Sequence, residues 1–214
     1  MPMYNLEEDK NMNDNLTLQL FAFDCNAIPE DQRANAVKAI KKFGKALRAT
    51  GRQQNVSGVR FTREEELRVK NTPLQKFKVN DLLESDGSGA CPMLDQTSNL
   101  IHEVGMRLAS EQEHERPSQI LMTIIVFGRD NASVRCTYDQ LRDIIAHQRD
   151  VYKWKFFLLT DFTINMEKLG IAEDDTIIIR KSEADWFARP FDELTDKIVE
   201  CMKKMMPEKS EKSE

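Results

Sequence analysis

Carboxylates, thiols and imidazoles are the groups of this chain able to do chemistry. Asp24 follows the apolar run LTLQLFAF of residues 16–23. A carboxylate there tops a strand of the sheet, on the side where an open parallel sheet carries its chemistry. Asp161 also ends an apolar run, after Thr160, and reads as the cap of the next short helix on the same rim. Asp86 stands in the glycine loop SDGSGAC of residues 85–91, where its carboxylate does not top a buried strand. That loop lacks the GxxxxGK[ST] pattern and the preceding strand of a phosphate cradle.

The 4 cysteines, Cys25, Cys91, Cys136 and Cys201, are scattered with no CxxC spacing, and the 3 histidines, His102, His114 and His147, fall at no zinc-ligand spacing with them. No Cys/His/Asn arrangement marks an activated nucleophile, and Asp24 beside Cys25 raises that thiol's pKa instead of lowering it. Reduced thiols in a cytoplasmic protein are the expectation, with disulfides in a secreted one as the alternative.

The elements that would position these groups are set by periodicity. Seven positions, residues 120–126 (ILMTIIV), form an apolar, β-branched-rich run too short for a core helix, which reads as a parallel strand buried on both faces. Further strands are expected at 16–23, 154–159 and 176–179, and an edge hairpin from strands at 55–62 and 65–70. Helical periods start at Pro29 and run to Gly51, from Pro92 through Leu108, over 138–151, over 162–169 and over 190–206; residues 73–83 stay ambiguous. Alternating strands and helices predict a doubly wound, mostly parallel sheet with helices on both faces and an antiparallel edge hairpin. Residues 1–15 read as a disordered leader, 16–206 as one domain and 207–214 (PEKSEKSE) as a disordered charged tail. In such a sheet the site lies past the carboxyl ends of the strands, here residues 127–133.

Three stretches together resemble a von Willebrand factor type A-like domain of the cytosolic bacterial and phage type. They are RPSQILMTIIVFGRDNAS with the helix and strand after it, GACPMLDQTSNLIHEVGMRL, and FAFD at residues 21–24. The resemblance spans about residues 16–205 and implies a Rossmann-like three-layer sandwich with a metal-ion-dependent adhesion site. Such a site holds magnesium or manganese with an Asp-x-Ser-x-Ser motif, a loop threonine and the aspartate of Thr-Asp-Gly, and a ligand carboxylate completes the shell. Here Asp24 keeps the leading carboxylate, and Asn26 replaces the first serine with a carbonyl oxygen. Ile28 replaces the second serine, Cys91 the threonine and Phe127 the second aspartate, while Gly128 keeps the glycine. A thiol, a phenyl ring and an isoleucine do not serve a hard cation.

The resulting expectation is a non-enzymatic protein–protein interaction module with a degenerate metal site and no cofactor; Asp24 and Asn26 are the only ligands if a weak site survives. Its rim is Asp24, Asn26, Ser88, Cys91, Phe127, Arg129, Asp130 and Asp161, with Phe127 offering an apolar contact, and the edge hairpin at 55–70 is the other candidate surface. One alternative is a metal-dependent binder in which Asp86 or Asp161 replaces the lost ligands. Another is a nucleotide- or phosphate-using enzyme on a Rossmann-like sheet. A length of 214 residues, 40% hydrophobic and 31% charged, with net charge −5, fits one soluble domain and makes nucleic acid and anionic membrane unexpected partners. No apolar run nears the roughly 20 residues of a membrane span. The partner and oligomeric state are not encoded in any motif.

Overall fold

A computed structural model describes residues 13–63, 68–161, 166–183 and 186–204. Its centre is a six-stranded sheet in the order β3-β2-β1-β4-β5-β6. The strands are β1 (Asn13–Phe23), β2 (Gln53–Arg60), β3 (Val69–Pro73), β4 (Pro117–Val126), β5 (Lys155–Thr160) and β6 (Thr176–Ile178). All neighbours are parallel except β3, which runs antiparallel to β2 at the edge. The chain moves outward from β1 to β3, then returns to the other side of β1 with β4. The topological switch therefore lies between β1 and β4, whose register pairs Phe23 with Ile125. A crevice opens at such a point, outside the carboxyl ends of the strands.

Alternation in β1 divides the core. Phe21 and Phe23 face the helices α1 (Arg33–Ala49) and α5 (Ala188–Lys204), with α2 (Asn80–Leu83) beside them. Leu18, Leu20 and Ala22 face α3 (Met93–Ser110) and α4 (Tyr138–Tyr152). Each helix buries one stripe, as Phe191, Leu194, Ile198 and Met202 do in α5. At Gly58 an added Cβ would lie 2.9 Å from Leu82 Cδ2 and 3.1 Å from the Phe21 carbonyl oxygen, so a side chain there would push Leu82 of α2 aside. The polar residues of β1 are buried in pairs: Thr17 donates to Gln119 Oε1 (3.1 Å) and Gln19 to Gln54 Oε1 (3.1 Å).

Several boundaries differ from the periodic reading. β1 begins at Asn13, whose N–H donates to the Arg116 carbonyl at 2.8 Å. The second hairpin strand is described at Val69–Pro73, where Val69 is buried and pairs with Gly58; residues 65–67 of the expected strand lie outside the described residues. A 3-10 turn, Glu30–Gln32, precedes α1. The ambiguous residues 73–83 divide into the end of β3, a turn and α2. Only the 3-10 turn Met166–Leu169 is described within 162–169. Residues 1–12 of the expected leader, residues 205–206 of the terminal helix and the tail at 207–214 lie outside the described residues. No helix among those described is long and apolar enough to cross a membrane.

Candidate binding rim

Asp24 leaves β1 at the switch point with its N–H bonded to the Ile125 carbonyl (2.9 Å). Its side chain is buried at 1% exposure. One carboxylate oxygen accepts the Ala27 N–H (3.2 Å); the other accepts the Phe127 N–H (3.2 Å) and faces the Cys91 thiol at 3.8 Å. Burial pushes the Asp24 pKa up, and the two N–H donors, the charge of Lys181 and the Cys91 thiol pull against it.

Phe127 is 2% exposed. Its ring lies under the rim, edge-on to Trp186 (5.9 Å between centroids) and Phe23 (6.3 Å) and tilted against Phe187 (5.8 Å). The expected apolar contact at the surface is corrected here: the ring anchors the sheet to the segment entering α5 and does not face a partner. Its carbonyl oxygen accepts a hydrogen bond from Lys181 Nζ (2.8 Å), and the same ammonium pairs with Asp161 Oδ2 at 2.7 Å. Asp161 is thus gathered to the rim with a side-chain exposure of 9%. Lys181 carries no motif; its signal is position, because a residue just past β6 must reach the same rim as one just past β5.

Asn26, half buried, joins the loops. Its Nδ2 donates to the carbonyls of Phe61 (3.1 Å) and Ala90 (3.0 Å) and to Ser88 Oγ (3.4 Å), and its Oδ1 accepts from Ser85 Oγ. Ser88 in turn donates to Asp86 Oδ1 (2.7 Å). Burial works to raise the Asp86 pKa, but hydrogen bonds from Ser88, from the Arg63 N–H and from Asn26 outweigh it and bring it down to about 2. Both carboxylates expected as substitute ligands are therefore engaged, Asp86 by its own loop and Asp161 by Lys181.

The loop after β4 is tied to the start of α3. Asp130 accepts the N–H groups of Leu94 (2.8 Å), Ala132 (3.3 Å) and Ser133 (3.0 Å). Asn131 accepts the Cys91 N–H (2.7 Å) and donates to the Gly89 carbonyl (3.1 Å). Asp95, 4% exposed, accepts the N–H groups of Val134 (2.9 Å), Arg135 (3.1 Å) and Cys136 (2.7 Å). Desolvation opposes its charge, but those N–H groups and Arg135 prevail and lower its pKa. Neither Asp95 nor Asn131 carries a sequence signal for this role; an acid in the first turn of a helix reads as a dipole partner, which hides the long-range tie. Arg129 stands exposed in this loop.

The thiols are poor nucleophiles. Burial is the first cause in each: it pushes Cys25 up to about 12, and Cys91, Cys136 and Cys201 upward as well. All four are free. The histidines lie apart from the rim, His102 on α3, His114 in the turn before β4 and His147 on α4 against Tyr152. Among the described residues no three or more His, Cys, Asp or Glu side chains converge as metal ligands.

The sheet order, the antiparallel edge strand and the helices on both faces make this an α/β three-layer sandwich, vWA-like and Rossmann-like in build. Two structures of proximal thread matrix protein 1 from the mussel byssus, the second in crystal form 2, share that fold. They align with a TM-score of 0.56 each, at 11% and 14% identity, over 89% and 90% of this chain. The chain spans about half the length of these neighbours, 47% and 49%. No protein-family profile and no curated protein matches the sequence. At such identity the likeness establishes architecture alone.

Proposed function

We propose that this chain is a non-enzymatic protein-interaction module whose rim works without a divalent cation. The observation that carries the reading is Lys181: its ammonium is bonded to Asp161 and the Phe127 carbonyl and acts on Asp24. A tethered monovalent cation thus pairs with Asp161 and lends a smaller attraction to Asp24, the carboxylates nearest the switch point. The remaining geometry supports the same conclusion. Such an ion takes about six oxygens, yet both Asp24 oxygens already accept backbone N–H groups, and a thiol and a phenyl ring fill the flanking positions.

Within this reading the rim residues divide their work. Asp24, Asn26, Ser88, Asp130 and Asp161 hold the loops in place, Cys91 and Phe127 pack beneath them, and Arg129 is left for contact. The vWA-like build, used here as an analogy, favours binding over catalysis, as do four thiols of raised pKa. Free cysteines throughout favour a reducing, cytoplasmic setting. Isothermal titration with magnesium and manganese tests the proposal. The wild type gives no saturable heat up to about 10 mM, above the range of weak protein sites for hard cations. Saturable binding that Asp24→Ala abolishes would establish the metal-dependent alternative instead.

A further inference from the structure

Charged side chains around the rim are sorted by sign. The acids turn inward: Asp24 is 1% and Asp95 4% exposed, the Asp161 side chain 9%, and Asp130 bonds back to Leu94, Ala132 and Ser133. Arg129 and Arg135 are exposed in the loop after β4, Arg135 half exposed while its Nε lies 3.7 Å from Asp95 Oδ2, whereas Lys181 is bonded into the rim by Asp161 and the Phe127 carbonyl. The nearby exposed acids are met within the chain, Asp139 by Arg142 at 2.9 Å and Asp86 by Ser88.

Between the arginines stands Val134, 88% exposed. A single apolar side chain on a surface is ordinary; the backbone beneath this one is not. Asp95 takes three successive N–H groups, from Val134 to Cys136, while Asp130 takes those of Ala132 and Ser133. A loop tip fixed from below by two carboxylates has already lost the conformational freedom that binding would have to remove. Rigid presentation of an apolar side chain ringed by charge is the arrangement of an interface anchor.

Resting on the rim as the interaction face, we propose that residues 129–135 are the contact and that the partner is an acidic protein surface. Val134 enters a shallow apolar pocket, and Arg129 and Arg135 meet the partner's carboxylates around it. On a chain of net charge −5, such a local basic patch gives an acidic partner one favoured end to approach.

The test is selection of random peptides displayed on phage against the full chain, followed by fluorescence anisotropy with the enriched peptide. The expected sequences interleave Asp or Glu with an apolar residue, and their affinity falls with added salt. Val134→Ser, and Arg129→Gln combined with Arg135→Gln, each weaken binding about tenfold or more at an unchanged melting temperature. No enrichment, enrichment of neutral or basic peptides, or acidic peptides that bind every variant equally overturns the proposal. If those variants bind normally but Lys181→Gln does not, the rim reading stands and this contact fails. If only edge-strand variants such as Lys70→Glu lose binding, both fail. A single-stranded oligonucleotide that needs Arg129 and Arg135 but not Val134 would assign the patch to phosphates and also overturn it.

Discussion

Phe127 and Lys181 meet beside the β1–β4 switch point, the phenyl ring buried in the core and the ammonium bonded to the Phe127 carbonyl. The ring contacts Phe23, Trp186 and Phe187 from below, while the ammonium closes over its carbonyl from above. Removing a buried ring leaves a cavity that neighbouring aromatics cannot refill, so Phe127→Ala lowers stability by about 3–5 kcal/mol in urea denaturation; a loss below about 1 kcal/mol would mean that the cluster is loose. Asp24 is predicted to act through pH. Burial raises its pKa above the ordinary value of 3.8, so the folded state holds a proton more tightly than the unfolded one. The stability tied to that proton is fully present below the unfolded pKa and is lost as pH rises through the folded one. As pH rises from the unfolded value through the raised folded one, the wild type therefore loses stability relative to Asp24→Asn. Parallel stability curves for the two proteins would contradict that assignment.

The loop between β4 and α4 behaves as one element because carboxylates from two places hold it. Asp130 is its own, but Asp95 belongs to α3 and reaches the N–H groups of Val134, Arg135 and Cys136. Asp95→Ala leaves those donors without their buried acceptor, at a cost of about 2–3 kcal/mol. Amide hydrogen exchange locates the effect: Val134, Arg135 and Cys136 exchange faster in the variant while the strands keep their protection. Uniform acceleration across the sheet would place the role of Asp95 in the global fold instead. Such ties are invisible to periodicity, since LDQ at the start of a helix looks like any acidic first turn. The same limit hides the far end of the second hairpin strand: the pairing runs on past Lys70 to Pro73, which alternation alone does not mark.

Across the whole molecule, β4 and the alternation of strands with helices were legible because a parallel sheet buried on both faces leaves apolar runs that nothing else explains. The positions of Asp24 and Phe127 at the switch point followed from that order. Lys181 did not, because pairing of a lysine past β6 with an aspartate past β5 depends on three-dimensional closeness and on no spacing along the chain. Global stability depends on α5, which buries Phe191, Leu194, Ile198 and Met202 over the face containing Phe21 and Phe43. At about 1.5–3 kcal/mol for each such side chain, the helix contributes an amount comparable to a domain's net stability of about 5–15 kcal/mol. A chain lacking Ala188–Lys204 is expected to show no cooperative unfolding transition in calorimetry; a sharp transition would show that the sheet stands without α5. The central claim, that a tethered ammonium stands in for a divalent ion at this rim, is tested most directly by the anomalous-difference map of a crystal soaked in manganese. It should carry no peak bonded to Asp24, and Lys181 should remain on Asp161 and the Phe127 carbonyl. A six-coordinate ion on Asp24, with Lys181 swung away, would contradict the account.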